Sequence, residues 1–182
     1  MAKLIIFGFS SLLIIIISWR TLFNTKSHGF FRFFSWQCIA WLFAVNYKFW
    51  FVNPFSFNQI ISWILLFYSA YLVIAGMLLI KNIGKPKSVR DEKNLFGFEK
   101  TTELIDSGVF KYIRHPLYSS LIFLTWAIYL KNPTDILFII ALLSTVFLYL
   151  TSKFDEKECL NYFGDKYRDY MIQTKMFIPF IF

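Results

Sequence analysis

The stretch "YIRHPLYSS", residues 112–120, sets Arg114, His115 and Pro116 back to back just ahead of an apolar run. Arginine is a planar, permanently charged donor that suits carboxylates and phosphates. Histidine exchanges a proton near neutral pH. Tyr112 and Tyr118 bracket the triplet, and a second charged set, Asp155, Glu156 and Glu158, follows the last long apolar segment. Each set has an ordinary reading. Basic residues anchor helix ends at a membrane surface, and acids favour a helix N-terminus. A His–Pro step adds nothing to anchoring, however, and polar groups drawn toward lipid depth usually have a purpose. The first N–H groups of the following helix lack helical partners and attract an anion. Brought to one side, the two sets describe a charged pocket for a zwitterionic small molecule.

What must bring them together is a membrane bundle. Charged residues make up 16% of the 182-residue chain, against roughly a quarter in an ordinary soluble domain. Five apolar segments are expected at residues 4–19, 33–52, 60–80, 117–130 and 136–150, the second containing Asn46 and Lys48. A helix needs about 20 residues to cross the hydrocarbon core. The last two are short, and the connection "KNPTD" (131–135) makes them a hairpin that thins the bilayer or draws its polar flanks inward. The alternative, two helices buried against a larger partner, stays open. The first run has no A-x-A-like cleavage site after it and is expected to be retained as a helix.

Of the 19 basic residues, only Lys3, Lys48 and Lys131 fall toward one face of such a bundle. The positive-inside rule then puts the N-terminus outside and the C-terminus in the cytoplasm. The net charge of +8 is therefore read as topology and not as a nucleic-acid surface. Cys38 and Cys159 are far apart and form no C-x-x-C, so neither a disulfide nor a metal site is expected. Residues 84–100 read as a polar loop, "GVFKYI" as a short extended piece, and 155–173 as an amphipathic surface helix interrupted by Gly164. Leu160, Phe163, Tyr167, Tyr170 and Met171 carry its apolar stripe. The expected fold is all-α and integral to the membrane: five transmembrane helices, a short C-terminal hairpin and a cytoplasmic tail helix. It forms one domain, with three helices in 1–80 and the chemistry in 81–182.

"LIDSGVFKYIRHPLYSS", a hydrophobic hairpin and "DEKECLNYFGDKYRDY" together resemble the isoprenylcysteine carboxyl methyltransferase family and its phospholipid methyltransferase relatives. The family pattern is matched in order and spacing at Gly108, Phe110, Arg114, His115, Pro116, Tyr118, Glu156, Phe163, Gly164, Tyr167 and Tyr170. Ser120 stands where the family has Gly, and Asp155 where it has the first of two Glu. The resemblance covers about residues 100–175; before that, only the transmembrane character is shared. It implies S-adenosylmethionine as methyl donor. It also implies Arg114 and Glu156 as the catalytic or substrate-orienting pair. Leu104, Gly108, Tyr112, His115, Pro116, Tyr118, Ser119 and Glu156 are the implied cofactor wall. The implied acceptor is lipid-like, isoprenoid or similar, methylated at the cytoplasmic surface among membrane lipids. A phospholipid amine or a small thiol is the alternative on the same scaffold. A nicotinamide-dependent membrane reductase and a non-catalytic membrane partner are the rivals of other classes. No G-x-G-x-x-G fingerprint follows a strand, so any such cofactor is held by helix ends and loops.

Overall fold

A computed structural model describes residues 1–85 and 95–181. Lys87, Arg90 and Lys93 of the polar loop therefore lie outside the described residues. The helices are α1 (Ala2–Leu22), α2 (His28–Asn46), α3 (Phe57–Asn82), α4 (Pro116–Tyr129), α5 (Asp135–Phe163) and α6 (Asp165–Gln173). Among the described residues there is no strand; a single isolated parallel bridge joins Ile113 to Lys175. By length and apolar composition α1, α3 and α5 are able to cross a membrane. Their outward side chains, such as Ile5, Phe9, Phe67, Ile74 and Ile139, are exposed as lipid-facing residues would be.

Helix α2 packs against α5, α3 against α4, and α1 along α2. Small and hydroxyl-bearing residues make these contacts, as is usual where lipid leaves no hydrophobic drive between helices. Ala44, Ala127 and Ala141 are fully buried. Ser62 donates to the Ala127 carbonyl at 2.7 Å, and Ser69 donates to the Ser120 carbonyl at 2.8 Å. Ser120 is therefore part of a tight α3–α4 seam, its own hydroxyl turned back to Leu117 O at 2.6 Å.

Several expected boundaries move. The fifth apolar segment is only the first half of α5, a 29-residue helix that continues through Asp155, Glu156 and Glu158 to Phe163. The hairpin is accordingly unequal, with 14 residues in α4. A continuous helix satisfies the backbone of the acidic stretch internally, so that stretch does not begin a tail helix. Gly164, at φ +61°, ends α5, and α6 alone is the tail helix. Its stripe does not face outward either: Tyr167 and Tyr170 are buried, while Ile172 is exposed. Helix α2 starts at His28, earlier than its apolar run suggests, because the Glu158 carboxylate accepts from the His28 backbone N–H at 3.1 Å. It ends at Asn46, with a 3-10 turn following.

The "GVFK" piece is a 3-10 turn and not an extended one. Gly108 opens it at φ +58°, and a Cβ there would meet Leu79 Cδ1 at 2.7 Å. The left-handed backbone favours glycine, and a larger residue would also displace the end of the Leu79 side chain. Beyond the turn, Ile113 is the residue that pairs, through its bridge to Lys175. Arg114 N donates to Lys175 O at 2.9 Å and Lys175 N to Tyr112 O at 3.2 Å, which ties the lead-in of α4 to the chain after α6.

Candidate functional site

The charged ends of α2, α4 and α5 meet around a partly enclosed cavity of about 190 Å³. Because α5 runs on past its apolar half, it presents Asp155 and Glu156 to the segment just ahead of α4. Arg114 Nε donates to Glu156 Oε1 at 2.6 Å, and its Nη1 donates to Thr174 O at 2.8 Å. Lys153 Nζ reaches Glu156 Oε2 at 2.9 Å. His115 lies between the two acids, its Nδ1 3.4 Å from Asp155 Oδ2 and its Nε2 3.6 Å from Glu156 Oε1. The second distance is too long for a hydrogen bond, and His115 Nε2 is a buried atom without a hydrogen-bond partner. Burial disfavours the His115 imidazolium, but the facing Asp155 and Glu156 outweigh it and raise its pKa.

Most of the residues expected from the sequence gather here. Leu104, Arg114, His115, Pro116 and Tyr118 line the cavity. The Tyr118 ring stacks on His115 with centroids 5.6 Å apart. Tyr167 and Tyr170 close it from α6, and Tyr170 Oη donates to Phe110 O at 2.7 Å. Burial raises both of these phenols, which keeps them neutral donors. Glu156 stands behind the wall, whereas Asp155 lines the cavity. Gly108, Tyr112 and Ser119 do not line the cavity. Gly108 serves the turn described above, Tyr112 is half exposed with its ring against Phe180, and Ser119 is bound to the Phe177 carbonyl.

The opposite wall comes from residues that the motif does not contain. Helix α2 supplies Arg32 and Trp36, and the 3-10 turn Gly97–Glu99 supplies Phe98 and Glu99. Arg32 Nη1 is ion-paired to Glu99 Oε1, and His28 Nε2 lies 3.5 Å from Glu99 Oε2. Phe96 N donates to Glu99 Oε2 at 2.8 Å. Burial would raise the Glu99 pKa, but the His28 hydrogen bond, the two cationic neighbours and the Phe96 N–H bring it below the usual value. The Arg32 guanidinium lies 4.3 Å from the Phe96 ring centroid and 5.1 Å from that of Trp36. A signal was present in "SHGFFRFFSW": His28, Arg32 and Trp36 recur every fourth residue, so they share one helix face.

His28, Asp155 and Glu158 offer ligand atoms within 4.8 Å of one another, the spacing of a possible metal set. His28 Nδ1 already bonds Glu158 Oε2 at 2.7 Å, and its Nε2 faces Arg32 and Glu99. The group is satisfied as an ion-pair network.

A zwitterion with an attached cation fits these walls. Arg114 and the unpartnered His115 Nε2 suit a carboxylate. Asp155 suits an ammonium, and the aromatic faces of Tyr118, Tyr167 and Phe163 suit a sulfonium.

Comparisons with known proteins agree with the motif. The chain is 26% identical over 123 residues to methanethiol S-methyltransferase 1 of Bradyrhizobium diazoefficiens, covering 65% of this chain and 39% of that protein. It is 31% identical over 71 residues to the methanethiol S-methyltransferase of Pseudomonas deceptionensis, covering 39% of this chain and 26% of that protein. The chain thus spans well under half the length of these relatives. No solved structure matches it. A profile of the phospholipid methyltransferase family matches residues 57–167, a stretch that holds Arg114, His115, Tyr118, Asp155, Glu156 and Tyr167. With more than half of its length matched and the motif residues on one cavity wall, the chain belongs to the phospholipid methyltransferase family.

Proposed function

We propose that the protein transfers a methyl group from S-adenosylmethionine to a small thiol at the membrane. The observation that carries this reading is the cavity itself, where Arg114, His115 and Asp155 of the family-matched stretch converge beside aromatic walls. The printed activity of the relatives, methanethiol S-methylation, favours a small thiol over an isoprenoid acceptor. The methyl donor supplies an activated methyl on a sulfonium. The chain aligns the acceptor with it, excludes water and holds charge. Arg114, oriented by Glu156 and Thr174 O, and His115 Nε2 hold the donor's carboxylate. Asp155 holds its ammonium, and Tyr118 and Tyr167 flank the sulfonium.

The membrane setting belongs to the same proposal. Helices α1 to α5 form five passes, α2 and α4 crossing as part of the bundle, with the N-terminus outside. The charged end and α6 then lie on the cytoplasmic side, where the basic residues concentrate. The chain acts as one domain in which residues 1–80 also furnish part of the active-site wall, through Arg32 and Trp36.

A second reading, methylation of a phospholipid amine or another lipid-like acceptor, draws on the family's name and on the apolar wall formed by Ile80, Leu117 and Leu121. One experiment separates them. Purified protein in lipid nanodiscs is given labelled S-adenosylmethionine with methanethiol, a prenylcysteine or phosphatidylethanolamine. Labelled dimethyl sulfide is expected as the main product. Transfer to the lipid acceptors alone would overturn the thiol reading. Absence of any transfer, together with no binding of S-adenosylhomocysteine by calorimetry, would overturn methyl transfer itself.

A further inference from the structure

A thiol is a poor nucleophile until it ionises, and at neutral pH only a few per cent even of a cysteine thiol is thiolate. The cavity therefore needs a fixed cation on the acceptor's side. Arg114, oriented by Glu156 and the Thr174 carbonyl, is assigned above to the donor's carboxylate. The other guanidinium on the cavity wall is Arg32, from α2, outside the stretch that the family profile matches.

We propose that Arg32 holds the thiol acceptor as its thiolate, with Glu99 as the positioning residue that fixes the guanidinium. This rests on the small-thiol reading above. Three features of the site carry it. The Arg32 side chain is 4% exposed, so its charge acts in a poorly screened environment. Its guanidinium carbon is flanked by the Phe96 and Trp36 rings, 4.3 Å and 5.1 Å from their centroids. Its Nη1 alone makes the contacts to Glu99 and His28, and among the described residues no hydrogen bond is made by Nε or Nη2. The surrounding wall is apolar, with Ile80, Leu95, Phe98 and Leu121, as suits the carbon end of a small thiol. The charged and titratable groups facing Arg32 are Glu99, His28, Asp155 and Tyr118. Arg32 and Glu99 offset one another, as do His28 and Glu158, so an added thiolate is balanced by the sulfonium it attacks.

The step balances. The thiol gives its proton to bulk water. The thiolate lone pair forms the new sulfur–carbon bond while the carbon–sulfonium bond breaks, its pair remaining on the leaving sulfur. The products are a methyl thioether, neutral S-adenosylhomocysteine and one proton.

The test uses the full chain in nanodiscs and two readouts. One is the pH profile of methanethiol methylation. The other needs no turnover: the methyl NMR shift of isotope-labelled methanethiol, titrated on the protein with S-adenosylhomocysteine present. Arg32→Gln is expected to move the ionisation of bound thiol up by about one pH unit, a tenfold loss of thiolate at a given pH. Its affinity for S-adenosylhomocysteine should stay within about twofold by the same arithmetic. Arg32→Lys should restore most of the shift. Glu99→Gln, which removes the nearest negative charge, should move the ionisation downward. That opposite sign is not a consequence of misfolding, so this variant carries the test if Arg32→Gln does not fold. Wild type that methylates no thiol would remove the underlying reading. Wild type that does, with unshifted ionisation in Glu99→Gln and in any folded Arg32→Gln, would remove the Arg32 assignment alone.

Discussion

The two ends of the bundle both bury charge, and they do it in opposite ways. At the end that holds the cavity, Arg32, Arg114, His28 and His115 meet Glu99, Asp155, Glu156 and Glu158, so each buried cation faces a carboxylate. At the other end Lys131, between α4 and α5, is 4% exposed and faces no carboxylate among the described residues. Its ammonium sits 3.8 Å from the Trp63 ring centroid and 5.3 Å from that of Trp50. It donates to Gln59 Oε1 at 3.0 Å. Burial draws its pKa down. Among the described residues the Lys131 charge itself is held by aromatic faces and one amide, with no cavity beside it, although Trp50 Nε1 is a buried donor without a partner. Ion pairs around an open cavity, with His115 Nε2 left unpartnered, are poised for something further. Buried charge is therefore informative only together with the space beside it.

The largest expected effect breaks the first arrangement. Glu156→Ala leaves Arg114, whose side chain is 11% exposed, without its carboxylate. Removing one partner of such a buried pair costs about 3–5 kcal/mol. Thermal unfolding in detergent should show a large drop in midpoint, and methyl transfer should be lost. A midpoint close to wild type would mean that Arg114 finds water or another acceptor.

A pH series sharpens the same contrast. His115 has a raised pKa, so its contribution is fully present below its ordinary value of 6.5 and is lost as pH rises through the folded value. Glu99 has a lowered pKa, so its contribution is fully present above its ordinary value of 4.5 and is lost as pH falls through the folded value. Stability should form a plateau between those two ordinary values and fall on either side. His115→Gln should flatten the alkaline limb, and Glu99→Gln the acid limb. Limbs unchanged in both variants would detach the pH response from His115 and Glu99 and leave it to His28, Asp155 and Glu156.

How much of this was legible in the sequence follows from the same physics. Helix α4 is read to within one residue, because Pro116 marks its first turn and an unbroken apolar run fills it. The convergence of Arg114, His115 and Glu156 is legible too, since the motif fixes their order. Helix α5 is misread as short because the reading stops where hydropathy stops, although a helix continues past its apolar part when partners wait for its polar residues. The α2 wall is missed for a related reason. Arg32 counts as a topology marker in the sequence, and only packing of α2 on α5 turns it toward Glu99. Tyr112 errs in the other direction: it neighbours the motif, yet the bridge at Ile113 points it outward.

At the opposite end the expected effect is smaller. Lys131→Met keeps the stem that packs on Trp63 and removes the ammonium. The lost cation–π and amide contacts are offset by no longer desolvating a charge, so stability should change by no more than about 1–2 kcal/mol in either direction. Methyl transfer should stay within about twofold of wild type, well under 1 kcal/mol in barrier. A severe loss of activity would join the two ends energetically and end the comparison drawn here.

The smallest effect lies between the ends. Ser144 on α5 holds Ser35 of α2 at 2.9 Å and Thr125 of α4 at 3.2 Å, hydroxyl to hydroxyl, in a fully buried layer. Thr125 also donates to the Leu121 carbonyl at 2.7 Å, so it keeps a partner when Ser144 is removed. Among the described residues Ser35 has no second bond and is left unsatisfied, although a hydroxyl in a helix can turn back to its own backbone. Interhelical hydrogen bonds in membranes average about 0.6 kcal/mol, with about 1.7 as an upper value. Ser144→Ala should therefore cost about 0.5–1 kcal/mol of stability. It should leave both pH limbs in place, because the hydrogen bonds of this layer involve no titrating group. Ser35→Ala combined with Ser144→Ala should cost less than the sum of the two single changes, since the pair shares one bond. Additive losses would show that each hydroxyl serves its own helix, and that the layer does not couple α2 to α5.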